Sequence, residues 1–290
     1  MEALTMARKN IFELLDEKWN REEELVRVIR LFQKEYIISD SRRGYTLKDF
    51  VNAYCFKDWK NRGRYIDMED YLQALNFDAL YKRAAEDIGD FLTTIEIIYN
   101  FYQMALVKTN GHRFNHYTGL ATLRENMDIC LAQYNYSAFY FEEKEQVTVS
   151  EKDPAVTAAT EISDSETAFQ IIQYNHHLLK GDIKAKKKIL LHLASELEPK
   201  RSMLNRINKV FSDDIFMLLN NLNLRHNNCD SKSKDYKKHV ANMPKEKLEE
   251  WYDELYQMIL LAKLELDHLA RKDRIIELKT HFHNNRQILT

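Results

Sequence analysis

The stretch LNLRHNNCDSKSKDYKKH, residues 222–239, concentrates side chains able to handle a phosphodiester. Arg225 offers a planar guanidinium for bidentate, charge-assisted hydrogen bonds to phosphate oxygens. His226 and His239 carry imidazoles that exchange protons near neutral pH, as moving a 2′-hydroxyl or leaving-group proton requires. Asn227 can position a phosphate oxygen. Lys232, Lys234, Lys237 and Lys238 surround Tyr236, combining phosphate attraction with a stacking surface. A solvated polar loop is the competing explanation for the same lysines.

The elements that must position these residues are helices. Over 200–225, Leu204, Phe211, Leu218 and Arg225 are spaced by seven, and Ile207, Ile215 and Leu222 fill the same stripe. That spacing predicts one helix with Arg225 on its core-facing side. A guanidinium there needs a cleft or a carboxylate such as Asp214 or Glu265. Arg225 would also suit the carbonyl end of the helix dipole, with Asn227 or Asn228 as the left-handed residue that stops the helix.

Composition agrees with a helical chain. Only 6 Gly and 3 Pro occur in 290 residues, and no Gly follows Gly181. A glycine-rich phosphate cradle is therefore absent from the second half. Lys and Arg number 43 against 45 Asp and Glu, so attraction to a polyanion must be local. Cys55, Cys130 and Cys229 lack the paired spacing of a zinc site or disulfide framework, which fits a reducing cytoplasm. The N-terminal MEALTMARKNIFELLDEKWN has no apolar h-region, and no apolar run approaches the roughly 18 residues that span a bilayer. A soluble cytoplasmic protein without a membrane partner is expected.

The chain divides into two regions, 1–152 and 153–290, at EKDPAVTAATEISD, which is poor in large apolar residues. In the first, an apolar stripe of Leu25, Val28, Ile29, Phe32 and Tyr36 predicts a helix within 6–38. SDSRRGYT then breaks the chain, and Thr46 with Asp49 caps a short helix. FKDWKNRGRY reads as a basic aromatic loop in which Trp59 and Tyr65 pack against helices. One long amphipathic helix is expected over 78–108 and another over 119–134, separated by Gly111 and HRFNHYTG. A hairpin near 138–150 is the only strand pair expected.

In the second region, Ser163 and Glu166 suggest a capping box, Gly181 and Asp182 a turn into a helix over 183–198, and Pro199 and Pro244 the first turns of later helices. The last helix is expected over 245–270. The fold class is thus all-α, two helical regions with one small hairpin, the second forming a four- to five-helix bundle.

Other motifs are weaker. KAKKK at 184–188 reads as the wet face of a helix. Glu265 and His268 have Glu-x-x-His spacing, but no second such pair exists. His176 and His177 on a helix would point about a hundred degrees apart, and His192 reads as a satisfied core residue. No metal or cofactor is called for. Gly-x-Ser-x-Gly, Walker-type and His-Glu-x-x-His motifs are absent.

A helix ending in Arg plus a polar residue, then a basic loop and a long closing helix, resembles the HEPN superfamily of prokaryotic defence and toxin proteins. The likeness covers about 160–270 and is greatest to those accompanying abortive-infection systems. It implies a metal-independent ribonuclease or RNA binder, with Arg225, His226 and His239 as catalytic residues. It also implies a homodimer in which two chains build one cleft, with RNA and a partner antitoxin or other protein as partners. The family signature closes with His after a gap of four to six residues, whereas here thirteen residues separate Arg225 from His239. The competing function is a noncatalytic helical module that binds a protein or nucleotide.

Overall fold

The computed structural model describes residues 19–36, 44–109 and 120–287. They are mostly helical and form two compact units that meet in sequence between Val149 and Ser150. Residues 6–18 and 37–38 of the first expected helix, the break at 39–43 and the stretch at 110–119 lie outside the described residues.

In the first unit, α1 (Arg21–Gln33) begins at Asn20, whose side chain accepts from the Glu22 and Glu23 amides, and it buries Leu25, Val28, Ile29 and Phe32. A short antiparallel pair, β1 (Glu35–Tyr36) and β2 (Tyr45–Thr46), stands beside the expected hairpin as a second strand pair. Thr46 then caps α2 (Leu47–Tyr54): its hydroxyl accepts from the Asp49 amide at 3.1 Å and donates to the Asp49 carboxylate at 2.7 Å. Next come α3 (Met68–Ala74), α4 (Phe77–Arg83), α5 (Ile88–Lys108) and α6 (Leu120–Gln133).

The single helix expected over 78–108 is two. Asp87 leaves helical geometry and caps α5 through the Asp90 amide at 2.7 Å, and the apolar spacing runs on across the break. The hairpin is β3 (Tyr136–Phe141) with β4 (Gln146–Glu151). Asn100 of α5 holds Val147 from both sides, its oxygen accepting from the Val147 amide and its nitrogen donating to the Val147 carbonyl. Trp59 is buried and donates to the Glu145 carbonyl at 3.0 Å, so FKDWKNRGRY is a packed loop.

The second unit comprises α7 (Pro154–Glu161), α8 (Ser165–Tyr174), α9 (Ile183–Leu197), α10 (Arg201–Ile207), α11 (Lys209–Asn221), α12 (Lys238–Ala241) and α13 (Lys245–Gln287). Asp164 rather than Ser163 caps α8, accepting from the Thr167 amide at 2.9 Å. Gly181, at φ 82°, makes the expected turn, and Asp182 caps α9. The helix expected over 200–225 is broken at Asn208, whose extended backbone ends α10 while its side chain caps α11 through the Phe211 amide at 3.1 Å. The closing helix runs on to Gln287, past the expected end at 270.

Helix α13 is the hub, packing on α7, α9, α10 and α11. Its Tyr252, Leu255, Tyr256, Ile259, Leu260 and Ala262 are buried. KAKKK is not uniformly wet. Lys186 is 7 % exposed, with its ammonium 2.7 Å from both Glu249 and Asp253 and 5.1 Å from the Tyr174 ring centroid. Lys187 also turns inward, donating to the Asn223 carbonyl. Burial opposes ionisation of Glu249, but hydrogen bonds from Lys186 and the Gly181 amide, with the attraction of the ammonium, outweigh it and lower its pKa.

Removing Lys186 strands two carboxylates, one of them largely buried. Lys186→Met is expected to cost about 3 kcal/mol in urea unfolding. The contribution of Glu249 is complete above an unfolded pKa of about 4.3 and disappears as pH falls through the lower folded value. Unfolding measured across that acid range should show a shallower loss of stability in Glu249→Gln than in the parent.

Candidate functional site

The candidate loop begins where α11 ends. Leu222 donates its amide to the Leu218 carbonyl, and Asn223 takes the left-handed conformation at φ 57°. Asn223 therefore plays the stopping role expected of Asn227 or Asn228. Arg225 lies four residues beyond the last helical residue, so the seven-residue repeat does not determine its direction.

Its guanidinium is instead engaged by Glu198, the residue before Pro199, rather than by Asp214 or Glu265. Its Cζ also stands 5.3 Å from the centroid of Phe216, while the Cζ of Arg201 lies 4.2 Å from the same ring. Phe216 is buried at 1 % exposure and thus carries two guanidinium contacts. The Arg225 side chain is 23 % exposed. It is a partnered residue at the bundle edge.

Asn228 organises the loop that follows and is 1 % exposed. Its side-chain oxygen accepts from the Asn223 amide and its nitrogen donates to the Asp235 carbonyl, each at 2.8 Å. Its backbone carbonyl accepts from the Lys237 amide at 2.8 Å. Asn228 thereby holds residues 223 and 235 through its side chain and residue 237 through its backbone. Asp230 and Ser233 close tighter turns inside this frame, accepting from the Lys232 and Asp235 amides respectively.

The frame turns the polar side chains outward. His226, Asn227, Lys232, Lys234, Tyr236, Lys237, Lys238 and His239 are exposed, the last two on α12. His226 places Nδ1 3.5 Å from the Asp235 carboxylate. Among the described residues, no hydrogen bond or ion pair joins Arg225 to His226 or His239. Four lysines outnumber the loop carboxylates Asp230 and Asp235, and Glu198 neutralises Arg225, so the exposed surface is locally cationic.

Other chemistries find less support. Among the described residues, no group of three or more His, Cys, Asp or Glu could hold a metal. His176 and His177 follow the end of α8, and their rings lie 4.4 Å apart, not divergent as a helix would set them. His192 is half-buried with Nε2 lacking a hydrogen-bond partner, unlike a satisfied core histidine. Burial pushes the thiols of Cys55 and Cys130 up to about 11 and about 12, which denies them a thiolate at neutral pH. In the first unit, a cleft of about 700 Å³ lined by Lys48, Asp49, Glu69 and Asp78 sets one cation against three carboxylates and disfavours a phosphate.

Glu198, Phe216 and Asn228 were not among the expected site residues. Only the Asn-Asn pair after Arg225 carried a local hint, as a turn former. Replacing Asn228 with Ala leaves an amide and a carbonyl without partners, so a loss of about 2–4 kcal/mol in denaturant unfolding is expected. Hydrogen exchange should accelerate at the Asn223 amide, which loses its acceptor. Comparison of the chain with protein-family models, curated proteins and solved structures yields no match.

Proposed function

We propose that the C-terminal unit is a noncatalytic helical interaction module that binds single-stranded RNA through residues 226–239, with Arg225 a structural residue. The observation that carries this reading is the division of labour in the loop. Arg225 is committed to Glu198 and Phe216, while Lys232, Lys234, Tyr236, Lys237 and Lys238 face solvent. Mobile ammonium groups track a flexible backbone, and an exposed tyrosine ring 37 % accessible offers a base a stacking face. Neither property requires a particular base, so recognition is of the backbone and of unpaired bases in general. Three cysteines without disulfides suit the reducing cytoplasm as the setting for such binding. Among the described residues, no helix is long and apolar enough to cross a membrane.

A second reading is favoured by His226 beside Asp235. A carboxylate near an imidazole can fix its orientation and support proton transfer. In that reading the protein is a HEPN-like, metal-independent endoribonuclease of the defence or toxin type. Arg225 leaves Glu198 to take the phosphate, and a second copy completes the cleft. A partner antitoxin or other protein would then restrain the exposed loop.

Fluorescence anisotropy with a short labelled single-stranded RNA, titrated at several salt concentrations, separates these readings. Joint replacement of Lys232, Lys234, Lys237 and Lys238 by Ala should weaken binding by at least about tenfold. It should also reduce the salt slope by roughly 3, the value for four contacts to a single strand. Arg225→Ala should bind nearly as the parent does, and neither should cleave RNA in EDTA. Cleavage by the parent that disappears in a folded Arg225→Ala variant would establish the ribonuclease instead. Absence of binding by the parent would sink both.

A further inference from the structure

In the first unit, the face of α5 that carries Asn100, Met104 and Val107 at helical spacing meets the end of α2 at a recess of about 180 Å³. Cys55, Trp59 and Met104 form its less exposed floor, while Tyr54, Val107 and Tyr140 stand 44 %, 53 % and 37 % exposed at its rim. Two of its rings are held in place from behind. The Tyr54 hydroxyl shares a hydrogen bond with that of Tyr45 at 2.9 Å, and its ring lies 5.0 Å from that of the buried Phe50. Trp59 stands 5.6 Å from the Tyr71 ring, besides its hydrogen bond to Glu145. Walls fixed in this way lose little freedom when a ligand enters.

The polar groups of the floor are spent. The Cys55 thiol donates to the Met104 carbonyl at 3.8 Å, Trp59 to the Glu145 carbonyl, and Asn100 serves both polar groups of the Val147 backbone. The Glu145 carboxylate lies 3.1 Å from the Lys60 ammonium. Two charges of opposite sign remain at the rim, the exposed Asp58 and Lys108, and among the described residues no ion pair engages either. Burial dominates the raised pKa of the Cys55 thiol, with Lys108 lowering it and Asp58 raising it, so both charges act on the same floor.

We propose that this recess binds a small phenol, its ring on the floor and its hydroxyl at the rim. Size selects one ring: an apolar cavity of about 150 Å³ takes benzene. An aromatic ring gains from the neighbouring rings of Tyr54, Trp59 and Tyr140 and from the sulfurs of Cys55 and Met104. It asks nothing of a floor whose hydrogen bonds are already made, where an inward-pointing polar group would lose its water without gaining a partner. Charge selects the substituent. Asp58 repels a benzoate and Lys108 repels a benzylammonium, whereas a hydroxyl donates to the carboxylate and accepts from the ammonium. The site uses no residue of the 222–239 loop and does not depend on RNA binding.

Fluorine NMR of para-fluorophenol titrated with the full chain should give a dissociation constant below about 1 mM. Para-fluorotoluene, para-fluorobenzoate and para-fluorobenzylamine should each bind at least about tenfold more weakly. Tyr140→Ala should weaken phenol binding by about tenfold. Val107→Trp, at an exposed position, should fill the mouth and abolish binding with an unchanged melting transition. Asp58→Asn with Lys108→Met should leave the toluene affinity as it was and remove the preference for the phenol. A parent chain that does not bind para-fluorophenol at about 10 mM, or binding indifferent to both Tyr140→Ala and Val107→Trp, would overturn the proposal. So would a benzoate or benzylamine bound as tightly as the phenol. Tighter binding of N-acetyl-tyrosine amide than of the phenol would assign the recess to a side chain of a partner protein and overturn the small-molecule occupant.

Discussion

The second unit depends on one face of its last helix, where Glu249, Tyr252, Asp253 and Tyr256 occupy positions i, i+3, i+4 and i+7. Each meets a polar group that burial would otherwise strand. Glu249 accepts from the Gly181 amide, Tyr252 donates to the Leu222 carbonyl at 3.1 Å, and Tyr256 donates to the Ile171 carbonyl at 2.8 Å. Asp253 accepts from Tyr174 and Lys186. The ends of helices leave carbonyls without intrahelical partners, and a buried end must find others. Two phenols of α13 serve the ends of α8 and α11 in this way. Burial raises the pKa of both, so they remain protonated donors at neutral pH. The stacked rings of Tyr174 and Tyr256, 4.0 Å apart, bring this polar ladder into the apolar core.

The loop inherits its starting point from that ladder. With Leu222 held by Tyr252 and Asn223 turned left-handed, the chain leaves α11 in a defined direction, and the Arg225 amide reaches back to the Leu219 carbonyl. Asn228 then closes the loop from within. Shape is set by a buried neutral amide, whose hydrogen bonds are insensitive to salt, while charge is displayed by exposed lysines, whose interactions are screened by it. The surface can therefore change its electrostatic attraction with ionic strength without losing its form.

The positions of Arg225 and Lys186 expose the limit of reading charge from periodicity. A seven-residue repeat through Leu204, Leu218 and Arg225 describes a continuous helix only if every intervening residue stays helical. Asn208 does not, because its side chain stabilises a new N-terminus better than it tolerates a helix interior. The repeat survives the interruption only in part: Leu204 and Leu218 are buried on either side of it, but Ile207, next to the break, is exposed. Asp87 conceals a break within 78–108 in the same manner.

Local physics was partly legible in the sequence where the partners are neighbours along the chain, although the caps at Asp87, Asp164 and Asn208, which also form within three residues, were not read from it. Scarcity of Gly and Pro implied helices, Thr46 marked a cap that forms within three residues, Gly181 and Asp182 marked the turn into α9, and β-branched and aromatic residues flanking a charged centre marked the β3–β4 hairpin. The same sequence displayed the side chains of the loop proposed to bind RNA, including each of its exposed lysines. Tertiary structure decided which charges are free. Arg225 meets Glu198 across 27 residues and Lys186 meets Asp253 across 67, distances at which no local pattern announces a partner. An ion's role depends on whether an opposite charge stands within a few ångströms under low-dielectric cover, and only the folded packing of α9, α11 and α13 brings that about.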